Sequence, residues 1–168
     1  LYPFEETIAK QEVSLGEAVE NIDIGGPALL RAAAKNHASV AAVCDPEDYE
    51  KIIVELSQSD EISQQTRNYL AAKAFCHTAD YDRAITNYLS GKYLANGDLF
   101  PKSFSIGMNL ATELRYGENP HQKAAFYREA GCAEGSLARA RQHGGKELSY
   151  NNLADTDAAL DCVRSFHR

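Results

Sequence analysis

A short glycine-bearing segment near the start of the chain places an acidic side chain beside the start of a predicted helix. Asp23 precedes Gly25 and Gly26, and Pro27 occupies a position that favours the first turn of a helix. Paired glycines let the backbone approach a ligand closely, and the unpaired N–H groups at a helix start attract anionic or carbonyl oxygens. Asp23 beside these donors has the chemistry of a general base or acid. A simple turn before a helix explains the same residues more economically when they are taken alone.

Two cations follow on the same predicted helix. Arg31 and Lys35 are four residues apart, so they share one helix face. Like charges at this spacing disfavour the helix by about 0.2–0.5 kcal/mol, and an anionic ligand or a carboxylate between them would account for the pair. Two solvated cations near a helix C-terminus, where the dipole favours positive charge, are the simpler local interpretation. Tyr2 carries no information alone, because most tyrosines are half-buried packing residues.

A second polar cluster occupies residues 115–122, Arg-Tyr-Gly-Glu-Asn-Pro-His-Gln. Gly117 and Pro120 make this segment a poor helix and a poor strand. A dense set of hydrogen-bonding groups on an irregular backbone is typical of a binding loop, and the fork of Arg115 suits a phosphate or carboxylate. A surface turn is an equally good interpretation of these residues.

Capping residues and hydrophobic periodicity indicate the elements that must position these side chains. Helices are predicted after the capping-box residue Ser14, over 28–35, after the Asp45–Pro46 pair, and after Asn152, and residues 63–93 are predicted to form one helix or two. Strands are predicted over 39–44, 123–128 and 137–142. Tyr49, Ile52, Ile53 and Leu56 are predicted to share one apolar helix face. The alternation of helices and strands indicates the α/β class.

Composition excludes several classes of protein. The 168 residues are 44% hydrophobic and carry a net charge of −7, which disfavours binding to nucleic acid. The four cysteines are far apart, so we predict reduced thiols in the cytoplasm rather than disulfides, and no metal site. No apolar run is long enough to span a membrane. The chain begins with Leu1 rather than Met, and we expect both ends to be internal to a longer polypeptide.

The first cluster resembles a known signature. Residues 21–37, NIDIGGPALLRAAAKNH, with LYPF at 1–4, resemble the cyclohydrolase domain of the bifunctional AICAR transformylase/IMP cyclohydrolase family. The resemblance implies that Asp23 transfers protons during ring closure, while Tyr2 and Lys35 orient and stabilise the developing oxyanion. It also implies a set of residues that bind the substrate: Ile24, Gly25, Gly26 and Arg31. An upstream lysine motif and a phosphate loop that the family uses are not in this sequence.

Two later blocks resemble the start of the transformylase domain of the same family. They are 114–122, LRYGENPHQ, and 145–157, GKELSYNNLADTD. The residues that the resemblance assigns to binding the AICAR nucleotide are Arg115, Tyr116, Asn119, His121 and Asn152. The family's catalytic Lys-His pair has no counterpart here, so we expect the isolated chain to be incomplete for both reactions.

The resemblance also implies an architecture. Residues 1–94 would be the later part of a methylglyoxal-synthase-like, Rossmann-like domain, 95–113 a linker, and 114–168 the start of a cytidine-deaminase-like α/β domain. The implied ligands are the purine nucleotides AICAR, formyl-AICAR and IMP, with 10-formyltetrahydrofolate as co-substrate, in a cytoplasmic homodimer that binds neither nucleic acid nor membrane. The alternatives are a non-catalytic nucleotide-binding or dimerisation fragment, and an unrelated α/β domain with chance motifs.

Overall fold

The computed structural model describes residues 1–94, 105–129 and 131–166, which fall into two compact units, Leu1–Ser105 and Ile106–Arg168. Residues 95–104 of the predicted linker lie outside the described residues. The rest of that linker range includes most of a strand that begins at Asn109.

The described part of the first unit is helical. Its α-helices are α1 (Phe4–Ile8), α2 (Leu15–Glu20), α3 (Gly25–Lys35), α4 (Tyr49–Ser59) and α5 (Gln64–Tyr93). The predicted cap of α2 is confirmed, because Ser14 Oγ accepts a hydrogen bond from the Glu17 amide at 3.1 Å. The long periodic stretch is one helix of 30 residues, capped by Ser63.

The strand predicted over 39–44 is wrong for the structure as described. These residues form a turn followed by an irregular segment. A strand requires a neighbour that pairs with its N–H and C=O groups, and the described part of this unit contains no strand to pair with. The apolar character that suggested a strand is instead used for packing, because Ala42 is buried against Ala34, Ala71 and Ala74.

The predicted apolar face of α4 is not buried. The helix has no buried residue, and Tyr49, Ile53 and Leu56 are exposed. The prediction that a helix follows Asp45 is confirmed with one change. Asp45 Oδ1 accepts from the Glu47 amide at 3.0 Å and caps a 3₁₀ turn, Pro46–Asp48, which leads directly into α4.

Helix α5 is the scaffold of the first unit. Small side chains let α3 lie close to it: Ala34 on one side meets Ala71 and Ala74 on the other. A second cluster forms further along α5, where Tyr81 packs against Phe4 of α1 and Ala18 of α2. The N-terminal helices are therefore attached to the same helix as α3.

An ion-pair group joins α5 to the segment before α4. Lys73 Nζ lies 2.6 Å from Asp45 Oδ2 and 2.7 Å from Asp48 Oδ2. The hydrogen bonds that Lys73 donates to both carboxylates raise its pKa well above the usual lysine range. The Lys73 ammonium, with the Glu47 amide, lowers the pKa of Asp45.

The second unit contains both helix and sheet. Strands β1 (Asn109–Leu114) and β2 (Ala124–Arg128) pair antiparallel, with an irregularity between Leu110 and Thr112, and α6 (Tyr150–Arg164) follows. The predicted strand over 123–128 is thus confirmed as β2. The one over 137–142 is wrong, because Leu137–Arg139 is a 3₁₀ turn without a partner strand.

Helix α6 begins earlier than predicted. Its N-cap is the buried Ser149, whose Oγ accepts from the Asn152 amide, while Asn152 Oδ1 accepts from the Ser149 amide at 3.1 Å. The predicted cap, Asn152, is therefore the other half of a capping box. Of the helices in the described ranges, none is both long and apolar enough to span a membrane.

Replacing Lys73 with methionine tests the ion-pair group. Asp48, 6% exposed, would then be a nearly buried carboxylate without its partner, and removing one partner of such a pair is strongly destabilising. We expect the Tm to fall by several degrees at neutral pH, measured by circular dichroism. The matched change Lys10→Met, at an exposed lysine, should leave the Tm unchanged.

The destabilisation caused by Lys73→Met should depend on pH in a defined direction. The pKa of Asp45 is lower in the folded protein than in the unfolded chain, where it is about 4. Such a carboxyl group stabilises the fold at a pH above its unfolded pKa. This stabilisation is lost as the pH falls through the folded pKa. The Tm difference between the wild type and Lys73→Met should therefore narrow in acid. A difference that stays constant throughout the acid titration would contradict this account.

Candidate functional site

Asp23 lies in the turn between α2 and α3, and both its side chain and its backbone are held. Its Oδ1 accepts a hydrogen bond from the Gly26 amide at 2.7 Å, which caps the start of α3. Its own amide donates to the Tyr81 hydroxyl at 2.8 Å, and that hydroxyl donates to the Asn21 carbonyl at 3.2 Å. The carboxylate therefore has a fixed position at the positive end of a helix.

The two glycines after Asp23 have different roles. A methyl group at Gly26 would overlap the Asp23 carboxylate and lie 2.8 Å from Leu1 Cδ2, whereas one at Gly25 would meet nothing within 4 Å. Gly26 is thus required for the carboxylate to approach the backbone. Leu1 at this position also places the N-terminal segment against the turn.

Tyr2 is directed outward by the residue that follows it. Pro3 has φ −78° and ψ 61°, the values of an inverse γ-turn, and the Phe4 amide donates to the Tyr2 carbonyl at 2.8 Å. Phe4 is buried, at 1% exposed, whereas Tyr2 is 57% exposed. The side chain of Tyr2 is therefore accessible to a ligand.

The two cations of α3 are not gathered around Asp23. The Arg31 guanidinium lies 5.4 Å from the centroid of the Phe75 ring, so packing on α5 explains its position without a ligand. Lys35 is exposed and is the last residue of α3. At a rise of 1.5 Å per residue it stands roughly 15 Å along the axis from Gly25. The length of α3 therefore separates Lys35 from the Asp23 turn.

An open cleft of about 570 Å³ lies between α3 and the segment that precedes α4. Its wall includes Leu29, Leu30, Val43 and Cys44, and of the predicted site residues only Gly26 lines it. Burial raises the pKa of the Cys44 thiol. This apolar cleft is therefore not the place where the predicted polar groups converge.

In the second unit, the polar loop 115–122 connects β1 to β2 and is bound to the start of α6. Three hydrogen bonds make the connection: the Arg115 amide to the Leu148 carbonyl at 2.8 Å, the Tyr150 amide to the Tyr116 carbonyl at 3.0 Å, and Asn151 Nδ2 to the Glu118 carbonyl at 3.1 Å. Two blocks that are about 30 residues apart in the sequence thus form one structure. Such a rigid support is what a binding loop needs to hold its side chains in place.

Arg115 and Tyr116 present their side chains together. The guanidinium carbon lies 4.8 Å from the Tyr116 ring centroid, and Nη2 is 3.3 Å from the phenol oxygen. Within the described ranges no carboxylate lies within ion-pair distance of Arg115. An exposed guanidinium that is oriented by an aromatic ring, and not neutralised, is suited to bind a phosphate.

The other predicted residues of this unit are placed less uniformly. Asn119 and His121 are exposed on the loop, and the Asn119 amide donates to Gln122 Oε1 at 2.8 Å. Asn152 Oδ1 is used in the α6 capping box, so the Nδ2 group is the part of this side chain left for a ligand.

Comparison with known proteins gives these two sites a common context. The sequence model of the AICARFT/IMPCHase bienzyme family matches residues 33–168, most of the chain. The chain belongs to this family. A relative from Sorangium cellulosum (strain So ce56), named bifunctional purine biosynthesis protein PurH, is 51% identical over 174 residues, covering 99% of this chain and 33% of the relative. The PurH protein of Bacillus cereus (strain AH820) is 50% identical over 166 residues, covering 99% of this chain and 32% of its own length.

The chain thus spans about a third of the length of the curated relatives it matches. The family model begins at residue 33, so the Asp23 turn lies outside that match but inside the part of the chain aligned with the two PurH relatives. Both polar turns are therefore within sequence shared with bienzyme-family proteins.

The structural roles of two residues at these sites were not predicted from the sequence. Tyr81 fits the periodic pattern of α5, yet its hydroxyl accepts from the Asp23 amide and donates to the Asn21 carbonyl. Gln122 closes the second loop, because its carbonyl accepts from the Gly117 amide at 2.9 Å. The available signal for Tyr81 was its hydroxyl on a buried face, since a buried tyrosine O–H nearly always has a hydrogen-bond partner.

The pair Gly26→Ala and Gly25→Ala tests the packing at the Asp23 turn. The first should lower the Tm because the new methyl group displaces the Asp23 carboxylate or Leu1. The second should leave the Tm unchanged or raise it, since alanine can stabilise a compatible site by about 0.4–1 kcal/mol through the unfolded chain. Equal effects of the two changes in thermal unfolding would argue against the close approach at Gly26.

Proposed function

We propose that this chain forms part of an enzyme that performs the last two steps of IMP synthesis. In the first step a formyl group passes from 10-formyltetrahydrofolate to the amine of AICAR, which releases tetrahydrofolate. In the second step formyl-AICAR closes its ring and loses water to give IMP. The observation that carries the proposal is the presence of two separately supported polar turns, at Asp23 and at Arg115, in a chain about half identical to PurH proteins.

Ring closure is assigned to the Asp23 turn. The carboxamide nitrogen of formyl-AICAR bonds to the formyl carbon and gives up one proton, the formylamino nitrogen gives up a second, and the formyl oxygen leaves with both as water. Asp23 accepts the nitrogen proton and a proton is delivered to the departing oxygen. One carboxylate oxygen, Oδ1, accepts from the Gly26 amide, so in this proposal Oδ2 is the oxygen that takes the proton. Tyr2 stabilises the developing oxyanion with its exposed phenol.

The purine base lies along the backbone of Ile24, Gly25 and Gly26 in this proposal. Ile24 is 77% exposed and Gly25 has open space beside it, so the surface here is free to be covered by a flat ring. Arg31 and Lys35 bind more distant parts of the ligand, since α3 separates Lys35 from the reacting atoms by most of its length. The oxyanion role that the family resemblance implies for Lys35 is the least supported by the geometry.

Binding of AICAR for formyl transfer is assigned to the second unit. Arg115 binds the phosphate, Tyr116 orients Arg115 and stacks beside it, and the loop residues Asn119 and His121 with Asn152 supply further polar contacts. Other parts of the full-length protein would bind the folate co-substrate and supply the catalytic side chains of this reaction.

The finer fold assignments are also part of the proposal. The first unit would belong to a methylglyoxal-synthase-like domain and the second to a cytidine-deaminase-like domain. Support for a homodimer comes from exposed apolar side chains on and after α6: Tyr150, Val163 and Phe166. The four free cysteines support a cytoplasmic location.

Asp23→Asn in the full-length protein tests the ring-closing assignment. Asparagine keeps the oxygen that accepts from Gly26 but removes the basic carboxylate, so the cap survives and the proton transfer does not. We expect kcat for ring closure to fall about a hundredfold or more, with formyl transfer unchanged, in assays supplied with formyl-AICAR and AICAR respectively. Glu20→Gln, an exposed acid at the end of α2, should change neither rate. Equal loss of both activities in Asp23→Asn would contradict two separate sites.

Arg115→Ala tests the nucleotide site of the second unit. Loss of a charge-assisted hydrogen bond to phosphate should raise the KM for AICAR about ten- to a hundredfold, while ring closure stays unchanged. Lys123→Ala removes a neighbouring exposed cation outside the proposed contacts and serves as the control. An unaltered KM for AICAR in Arg115→Ala would remove Arg115 from the site.

A further inference from the structure

One side chain outside the predicted sites contacts both the Asp23 turn and Phe4, the second residue after Tyr2. Tyr81 lies in the middle of α5, is 7% exposed, and belongs to the N-terminal core cluster. Its hydroxyl accepts from the Asp23 amide at 2.8 Å and donates to the Asn21 carbonyl at 3.2 Å. Both hydrogen-bonding capacities of the hydroxyl are therefore directed at the backbone of the Asp23 turn.

The ring of the same tyrosine supports the segment that carries Tyr2. Phe4 packs edge-on against Tyr81, with ring centroids 6.2 Å apart and planes inclined at 67°. Phe4 is the buried residue that follows the inverse γ-turn at Pro3, so it anchors the backbone of the segment that carries Tyr2. Asp23 and Tyr2 belong to different segments, and Tyr81 is the point on α5 to which both segments attach.

We infer that Tyr81 is a positioning residue, whose hydroxyl holds the backbone of Asp23 in place for proton transfer while touching no substrate itself. The inference rests on the proposed ring-closing role of Asp23. Its physical basis is that proton transfer requires the carboxylate to be within hydrogen-bond reach of the reacting nitrogen, and a displacement of about 1 Å can cost up to a hundredfold in rate. The Gly26 amide restrains only the carboxylate, so the Tyr81 hydroxyl is what restrains the backbone that carries it.

Tyr81→Phe in the full-length protein removes the hydroxyl and keeps the ring that packs against Phe4. We expect kcat for ring closure to fall about tenfold, with the KM for formyl-AICAR and the rate of formyl transfer nearly unchanged. Hydrogen exchange measured by mass spectrometry should show faster exchange in a peptide covering 21–26 of the ligand-free protein, because the Asp23 amide loses its acceptor.

Tyr88→Phe is the matched control. Tyr88 lies two helical turns further along α5 and packs against the same Phe4 ring at 5.8 Å, but among the described residues its hydroxyl has no hydrogen-bond partner. The Tyr88→Phe variant should have the same ring-closure kinetics as the wild type and the same rate of hydrogen exchange in residues 21–26. The two variants should also have similar Tm values.

The outcomes separate this inference from the proposed function. If Asp23→Asn abolishes ring closure but Tyr81→Phe retains the wild-type kcat, the positioning role is overturned and the proposed function stands. If Tyr81→Phe lowers both activities together with the Tm, the role of Tyr81 is general stability and the inference is again overturned. If Asp23→Asn itself retains ring closure, the proposed function fails and the inference fails with it.

Discussion

The structure of the first unit depends on the attachment of every other segment to one face of α5. The helix is long enough to offer separate positions to each of them: Ala71 and Ala74 receive α3, Lys73 binds the carboxylates before α4, and Tyr81 binds the turn between α2 and α3. Thr66, near its start, hydrogen bonds to Glu55 of α4. Helices α2 and α4 bury little of their own surface. The polar contacts of Tyr81 and Lys73 therefore determine where the turn after α2 and the segment before α4 lie.

In the second unit, the loop between the two strands is held in place by the start of a helix. A two-stranded sheet is marginally stable in water by itself, and neither strand here has a buried residue. The loop that joins them is instead bonded to the start of α6, whose own capping box makes that end of the helix rigid. The backbone that carries the side chains of Arg115 and Tyr116 is therefore held by hydrogen bonds to Leu148 and Tyr150.

In both units the proposed binding groups follow the same arrangement. Each turn carries a glycine that admits a close approach, Gly26 to the Asp23 carboxylate and Gly117 to the Gln122 side chain, and each is bonded to a helix distant in the sequence. An irregular backbone exposes polar groups to a ligand, but only these long-range hydrogen bonds give it a defined shape. This arrangement explains why a local interpretation of either motif as a simple turn was reasonable and incomplete.

Sequence alone determined the helices with strong caps and periodicity, such as α2 and α5, because those signals are local. It also singled out Asp23 and Arg115, since charged groups beside glycine or proline in irregular segments are visible without a fold. Only the tertiary structure decided that 39–44 lacks a strand partner in the described part of its unit, that Lys35 stands far from Asp23, and that Tyr81 holds the Asp23 turn. Strand pairing and hydrogen bonds across 58 residues depend on which segments meet in space, and no local pattern of residues carries that information.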